Sequence, residues 1–258
     1  GLVGPDRRDL ESAAAAAFAE AHRLDRLLSN YLAESEWSAM NREAAIRPVR
    51  VTPELFALLW DCLEYSRMSD GAFDITVGPL MKVWGFYKGE GSLPQPKDIK
   101  EALNRVGYRH VQLDPGPRTV RFARPGMDLD PGGIGKGYAV DRMVDVLKQA
   151  GVRTALVSAS GSSIYGLGAP PDAPEGWPIT ISTPRDPSAV AAHVVLRNLS
   201  LSTSGSYEKF FWANGRTYSH IIDPRTGNPA QGTSAVSVLA LGRWTARHGR
   251  NRSSSTAA

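Results

Sequence analysis

The order of its hydrophobic patterns is the feature that most constrains the fold of this chain. Apolar residues recur at helical spacing in four segments, which predict helices over about 7–30, 53–69, 96–106 and 138–150. Strand-like segments and turns dominate after the last of these, and Asn214-Gly215 between two aromatic segments predicts a hairpin. Helices early and strands late favour an α+β fold of mixed or antiparallel sheets over an alternating βαβ fold.

Two shorter regions complete this outline. Residues 111–113 and 120–122 flank the turn Asp114-Pro115-Gly116-Pro117, which predicts a second hairpin with a longer loop. Residues 35–47 are polar and are expected to form a loop. The segment 71–80 is expected to be short and extended.

Composition excludes several classes of function. All 26 acidic residues precede Pro224, and four of the 30 basic residues lie after Gly242, so the body of the chain carries no net charge. A nucleic-acid partner is therefore not expected. No apolar stretch reaches 18 residues, so no transmembrane helix is expected. The single cysteine, Cys62, permits no internal disulfide and falls in a helical pattern, where we expect it in the core.

A glycine-rich segment, Asp130-Pro131-Gly132-Gly133-Ile134-Gly135-Lys136-Gly137, leads into the last helical pattern. Its glycines permit a tight turn close to a ligand, and a helix N-terminus with a lysine favours phosphate. It is not a Walker A loop, because a P-loop nucleotide hydrolase needs a glycine where Asp130 stands and Ser or Thr where Gly137 stands. A simple strand-to-helix turn remains an equal alternative on these residues alone.

Three further segments carry polar groups that could serve a ligand. The segment 71–80 offers Asp74 and Thr76 with aromatic residues nearby. The segment 202–207 is dense in hydroxyl groups that could donate to a pyrophosphate, with Thr203 as the expected contact. In the segment 219–227, His220 precedes an Asp-Pro-x-x-Gly turn and is a candidate proton acceptor. Each segment alone is more typical of ordinary structure than of a site.

Together, in this order and spacing, these segments resemble the ApbE family of FAD:protein FMN transferases, and Leu28-Ser29-Asn30-Tyr31 adds to the match. The resemblance covers residues 3–240 and implies an ApbE-like, T-fold-like single large domain. It also implies a transferase that binds FAD and Mg²⁺ and moves FMN onto a threonine hydroxyl of an acceptor protein, releasing AMP. The residues it implies as FAD contacts are Tyr31, Ala72, Phe73, Asp74, Asp130, Lys136 and Ile222. It further implies His220 as the proton acceptor and the main-chain carbonyl of Gly133 as a metal ligand.

The two ends depart from the family pattern. The family's opening strand with Met-Gly-Thr is missing, and residues 159–163 replace a more usual Gly-Gly-Asp type of turn. Family members continue past the strand 235–241 into an alanine-rich helix whose acidic residues hold the metal. Residues 242–258 instead read as an atypical, disordered basic tail after a transferase domain spanning 1–241.

This departure leaves two functions open: a working transferase, and an FAD-binding protein with little or no transfer because its metal ligands are absent. The resemblance also implies a periplasmic location at the outer face of the bacterial inner membrane, often through a lipid anchor that this chain does not itself contain.

Overall fold

A computed structural model describes residues 1–89, 91–184, 186 and 188–241. Within them the predicted α+β class is confirmed, with helices concentrated before residue 150 and antiparallel strands after it. The helices are α1 (Arg7–Leu28), α2 (Glu36–Glu43), α3 (Pro53–Met68), α4 (Gly78–Val83), α5 (Pro96–Leu103) and α6 (Gly135–Gln149). Short 3₁₀ helices occupy Ile75–Val77, Phe86–Lys88 and Tyr108–His110. The predicted tail, 242–258, lies outside the described residues.

The strands form four sheets. They are β1 (Leu2–Val3), β2 (Val49–Arg50), β3 (Val111–Asp114), β4 (Thr119–Phe122), β5 (Thr154–Ala159), β6 (Ser163–Leu167), β7 (Trp177–Ser182), β8 (Val190–Leu196), β9 (Leu199–Gly205), β10 (Phe210–Ala213), β11 (Arg216–Ser219) and β12 (Ala235–Leu241). The sheets have the orders β1-β5-β6-β9-β12, β2-β4-β3, β7-β8 and β10-β11. The two predicted hairpins are confirmed as β3–β4 and β10–β11.

The chain divides into two compact units. The first contains Gly1–Leu24, Ile134–Ser204 and β12. Its core joins α6 to β5 and β6, because Val140, Val144 and Leu147 recur on one face of the helix and meet buried side chains of the strands. The five-stranded sheet of this unit is antiparallel in its β1–β5, β5–β6 and β6–β9 pairs.

The second unit contains Asp25–Gly133 and Gly205–Ser234. Its largest fully buried side chains include Trp37, Trp84 and Phe122. The Trp84 indole donates to the Gly227 carbonyl at 2.8 Å, which fixes the turn after His220 against α4. Helix α3 begins as predicted, with the Thr52 hydroxyl accepting from the Leu55 N–H.

Three local predictions are wrong. The polar segment 35–47 contains α2, which Ser35 caps by accepting from the Ser38 N–H and which buries Trp37 and Met40. The segment 71–80 is not extended, since a 3₁₀ helix and then α4 follow Asp74. Helix α6 begins at Gly135, three residues before the predicted start, so Lys136 stands in its first turn.

Candidate functional site

In the second unit, Asp130 is a buried carboxylate, 7% exposed, that is held on both oxygens. The Gly132 N–H donates to Oδ1 at 2.6 Å. The Tyr87 hydroxyl donates to Oδ2 at 2.5 Å, and the Asn30 amide donates to the same oxygen at 3.3 Å. Burial raises the pKa of Asp130, while the hydrogen bonds from Tyr87 and Gly132 oppose that rise. The bend at Asp130 therefore starts from a carboxylate with a fixed direction.

Tyr31 presents an aromatic face beside this carboxylate. Its side chain is 68% exposed, and its ring meets the Tyr87 ring edge-on with centroids 6.1 Å apart. Partial burial and the charge of Asp130 raise the pKa of Tyr31. An exposed phenol ring whose orientation is set by a neighbour is suited to stacking on a planar ring system. This arrangement fits the predicted role of Tyr31 as a flavin contact.

Asp74 has a structural role that was not predicted from the sequence. Its Oδ1 accepts from both the N–H and the hydroxyl of Thr76, at 2.8 and 2.7 Å, and its Oδ2 accepts from the Tyr108 N–H at 2.8 Å. Asp74 thus caps the 3₁₀ helix Ile75–Val77 and ties it to the start of the 3₁₀ helix Tyr108–His110. Burial raises the pKa of its carboxyl, and the hydrogen bonds from Thr76 and Tyr108 oppose the rise.

Phe73, which precedes Asp74, lies against the glycine-rich bend. Ala72 is exposed and Phe73 is half-buried, with the Phe73 ring edge-on to Tyr65 at 6.5 Å. A Cβ added at Gly133 would lie 3.3 Å from the Phe73 ring, so glycine lets the backbone of the bend approach this aromatic side chain. The structure therefore brings the predicted residues Phe73 and Gly133 together.

His220 directly follows β11 and is anchored through its backbone. Its N–H donates to the Lys209 carbonyl at 3.0 Å, and Nδ1 lies 3.2 Å from the same oxygen. Its ring meets Phe86 edge-on, with centroids 6.4 Å apart. In the tautomer that donates from Nδ1, Nε2 carries the lone pair that could accept a proton.

The turn after His220 forms as predicted. The Gly227 N–H donates to the Asp223 carbonyl at 2.9 Å, and Arg225 pairs with the Asp223 carboxylate, which lowers the pKa of Asp223. Ile222, a predicted FAD contact, packs on the apolar cluster of Leu80, Ala102 and Val106. Its contacts in the structure are those of a residue that supports the core.

The first unit gathers Lys136 and Thr203 around one serine. The Lys136 ammonium donates to the Ser162 hydroxyl, and the Thr203 N–H donates to the Ser162 carbonyl at 2.8 Å. The Thr203 hydroxyl lies 2.8 Å from that of Ser237 on β12. Hydroxyl groups, a lysine and a helix N-terminus are the donor set that binds phosphate. Ser162 was noticed in the sequence only as part of an unusual turn.

Sequence reasoning missed Asn30, Tyr87 and Ser162 as partners of the predicted residues. No spacing rule could have found the first two, because they lie 100 and 43 residues from Asp130. They meet it only through the tertiary fold.

Metal-ligand clusters and membrane-spanning helices are both absent from the described ranges. No group of three or more His, Cys, Asp and Glu side chains there could hold a metal ion. Nor does that part of the chain contain a helix long and apolar enough to cross a membrane.

The fold matches solved structures of ApbE proteins. It superimposes on the ApbE protein of Thermotoga maritima with a TM-score of 0.83 and 31% identity, covering 90% of this chain and 74% of that one. The apo form of the flavinyl transferase ApbE of Pseudomonas stutzeri gives a TM-score of 0.79 and 34% identity, covering 92% and 73%. The class of protein is therefore that of the ApbE-type α+β proteins.

Sequence comparison leads to the same family. Residues 3–247 match the model of the ApbE family, and the chain belongs to that family. An FAD:protein FMN transferase of Treponema pallidum is 37% identical over 231 residues, which cover 84% of this chain and 63% of that protein. One from Klebsiella pneumoniae is 34% identical over 85% of this chain and 67% of its own length. The chain thus spans about two thirds of the length of these relatives. The predicted family is confirmed.

Proposed function

We propose that this chain is an FAD:protein FMN transferase that moves FMN from FAD to a threonine hydroxyl of an acceptor protein and releases AMP. Its family membership supports the reaction class. The observation on which the proposal depends most is the bend 130–136, which leads from the fixed carboxylate of Asp130 to Lys136 in the first turn of α6.

Each unit by itself offers groups of a kind that FAD binding uses. In the second unit, Tyr31 supplies an exposed ring for stacking, and Asp130 supplies hydrogen-bond acceptors of fixed direction. In the first unit, Lys136, Thr203 and the N-terminus of α6 supply donors for phosphate oxygens. An ammonium group placed at a pyrophosphate would stabilise the charge that develops on the leaving phosphate.

The reaction needs one bond to form and one to break. The acceptor hydroxyl oxygen attacks the phosphorus of the FMN half of FAD. The bond from that phosphorus to the bridging oxygen breaks, and AMP leaves with that oxygen. His220 takes the hydroxyl proton at Nε2, since Nδ1 faces the Lys209 carbonyl.

The predicted dependence on Mg²⁺ stays a prediction. Mg²⁺ prefers several hard oxygen ligands, carboxylates above all, and the described residues gather no such set beside Gly133. We therefore assign no step of the reaction to the metal. The periplasmic location and the lipid anchor likewise stay predictions.

Mass spectrometry of an acceptor protein incubated with this chain, FAD and Mg²⁺ tests the proposal. We expect one FMN added through a phosphoester to threonine, and none when that threonine is replaced by alanine. Retention of FAD without any labelled acceptor would contradict transfer and would favour the FAD-binding protein that the sequence left open.

Two variants test the assigned roles. His220→Ala should slow transfer strongly while FAD affinity stays near that of the parent, and His193→Ala, an exposed histidine of β8, is the matched control. Lys136→Ala should weaken FAD binding measured by flavin fluorescence. A His220→Ala protein as fast as the parent would remove the histidine from the reaction, and unchanged FAD affinity in Lys136→Ala would remove the lysine from the phosphate site.

A further inference from the structure

The side chain of Tyr87 touches two of the predicted flavin contacts at once. Its hydroxyl donates to Asp130 Oδ2 at 2.5 Å, and its ring meets the exposed Tyr31 ring edge-on at 6.1 Å. Neither contact follows from a sequence motif, since Tyr87 lies in the 3₁₀ helix Phe86–Lys88, 43 residues before Asp130. From these two contacts we infer that Tyr87 is a positioning residue for FAD, an inference that rests on the proposed function.

The hydroxyl of Tyr87 is suited to hold a carboxylate. Burial, followed by the nearby charge of Asp130, raises the pKa of Tyr87 far above its ordinary value, so the phenol stays protonated and keeps its proton available for donation. A hydrogen bond from a neutral donor to an ionised carboxylate is among the stronger kinds in proteins. Tyr87 thus fixes Oδ2, while the Gly132 N–H fixes Oδ1.

Few neighbouring groups set the orientation of the Asp130 carboxylate. Asp128 and Lys209 act on its carboxylate through charge, in opposite directions, and Asn30 adds a longer hydrogen bond at 3.3 Å. The hydrogen bond from Asn30 is longer than the one from Tyr87 at 2.5 Å. Without the phenol hydroxyl, the carboxylate would keep its charge but lose the shorter of the two side-chain hydrogen bonds to Oδ2.

The ring of Tyr87 has a separate effect. Because it meets Tyr31 edge-on, it restricts the orientation of a side chain that is otherwise 68% exposed. A stacking ring that is held before the ligand arrives loses less conformational freedom on binding. Tyr87 therefore prepares both the polar contact and the stacking contact for the same ligand.

Tyr87→Phe isolates the hydroxyl, because phenylalanine keeps the ring against Tyr31. We expect FAD affinity to fall about tenfold, the scale of one hydrogen bond to a charged group. In the transfer assay KM for FAD should rise with little change in kcat at saturating FAD, the pattern expected for lost ligand binding. Tyr165→Phe, a buried tyrosine of β6 in the first unit, is the matched control and should bind FAD like the parent.

A double-mutant cycle decides whether Tyr87 acts through Asp130. FAD titrations, run to millimolar FAD, would compare the parent, Tyr87→Phe, Asp130→Asn and the double variant. We expect Tyr87→Phe to weaken binding in the parent but to change affinity less than twofold in the Asp130→Asn background. Circular dichroism before titration confirms that each variant is folded.

Two outcomes would overturn the inference: equal FAD affinity in Tyr87→Phe and the parent, or an equal loss in both backgrounds. The failure of the proposed function looks different, since the parent itself would then bind no FAD or label no acceptor. Binding is measured without an acceptor, so the positioning role of Tyr87 is tested even if transfer is absent.

Discussion

At the scale of single residues, two aspartates with the same predicted role, Asp74 and Asp130, have different roles in the structure. Asp74 and Asp130 were both predicted to contact FAD. The structure gives Asp74 three hydrogen bonds from Thr76 and Tyr108 that hold local backbone together. Asp130 begins a bend, lies beside an exposed tyrosine, and is held by Tyr87 and Asn30, which are distant in sequence. The sequence could point to both residues, but only the fold separates these duties.

Replacement of Asp74 should therefore affect stability directly. Asp74→Ala leaves the buried N–H of Thr76 and the partly buried N–H of Tyr108 without their acceptor, and we expect the free energy of unfolding to fall by about 2 kcal/mol. Urea denaturation of the FAD-free protein measures this loss. Asp172→Ala, at an exposed position, is the control and should change stability little. An Asp74→Ala protein as stable as this control would contradict the capping role.

Asp130 should make the stability depend on pH in a defined direction. Burial raises the pKa of the Asp130 carboxyl in the folded protein above its value in the unfolded chain. At a pH above the folded pKa, the buried charge therefore lowers the free energy of unfolding. That cost disappears as the pH falls through the folded pKa towards the unfolded one, because the native carboxyl then takes up a proton. The parent should therefore lose stability relative to Asp130→Asn as the pH rises from about 4 to 7.

Urea denaturation of both proteins across this pH range is the measurement. A difference in stability that stays constant with pH would contradict the raised pKa. A difference of the opposite sign would mean that the hydrogen bonds from Tyr87 and Gly132 outweigh burial.

At the scale of elements, the sequence predicted what periodicity and turn chemistry control. Helix α3 begins at its Thr52 cap, and the hairpin β10–β11 turns at Asn214-Gly215, as expected. Helix α2 was missed because only two of its eight residues are buried, which is too few to make a period visible. Its signal was local, in the cap at Ser35 and the acid at Glu36.

Helix α6 begins before the first of the apolar residues that recur at helical spacing along it. Gly135 and Gly137 disfavour helix in isolation, yet both lie in its first turn. Intrinsic preference is a weak guide where packing holds the following residues, as Val140 and Val144 are held in the core of the first unit. The earlier start places Lys136 on the helix itself.

Alanine substitutions at two glycines near helix starts should change the stability of the protein in opposite directions. A Cβ at Gly78 would lie 2.5 Å from the Asp128 carbonyl oxygen, so Gly78→Ala forces backbone apart and should cost about 1–3 kcal/mol. A Cβ at Gly137 meets no heavy atom within 4 Å, so Gly137→Ala should raise stability by about 0.5–1 kcal/mol. Thermal unfolding of the FAD-free variants compares them, and equal effects would contradict the close approach of α4 to Asp128.

At the scale of the whole molecule, family and fold class could be predicted because four motifs occur together in order. No single motif was specific enough, since the glycine-rich bend alone is equally a simple turn. The site could be predicted only in part. Motifs mark residues such as Asp130 and Lys136, whereas Tyr87 and Ser162 act through contacts that depend on the packing of each unit.

The claim on which the account rests is that this chain binds FAD, and equilibrium titration of the purified chain with FAD tests it most directly. We expect saturable quenching or shift of the flavin signal at one FAD per chain, with Asp130→Asn and Lys136→Ala each binding more weakly than the parent. A parent chain that takes up no FAD at millimolar concentration, while circular dichroism shows it folded, would contradict the account.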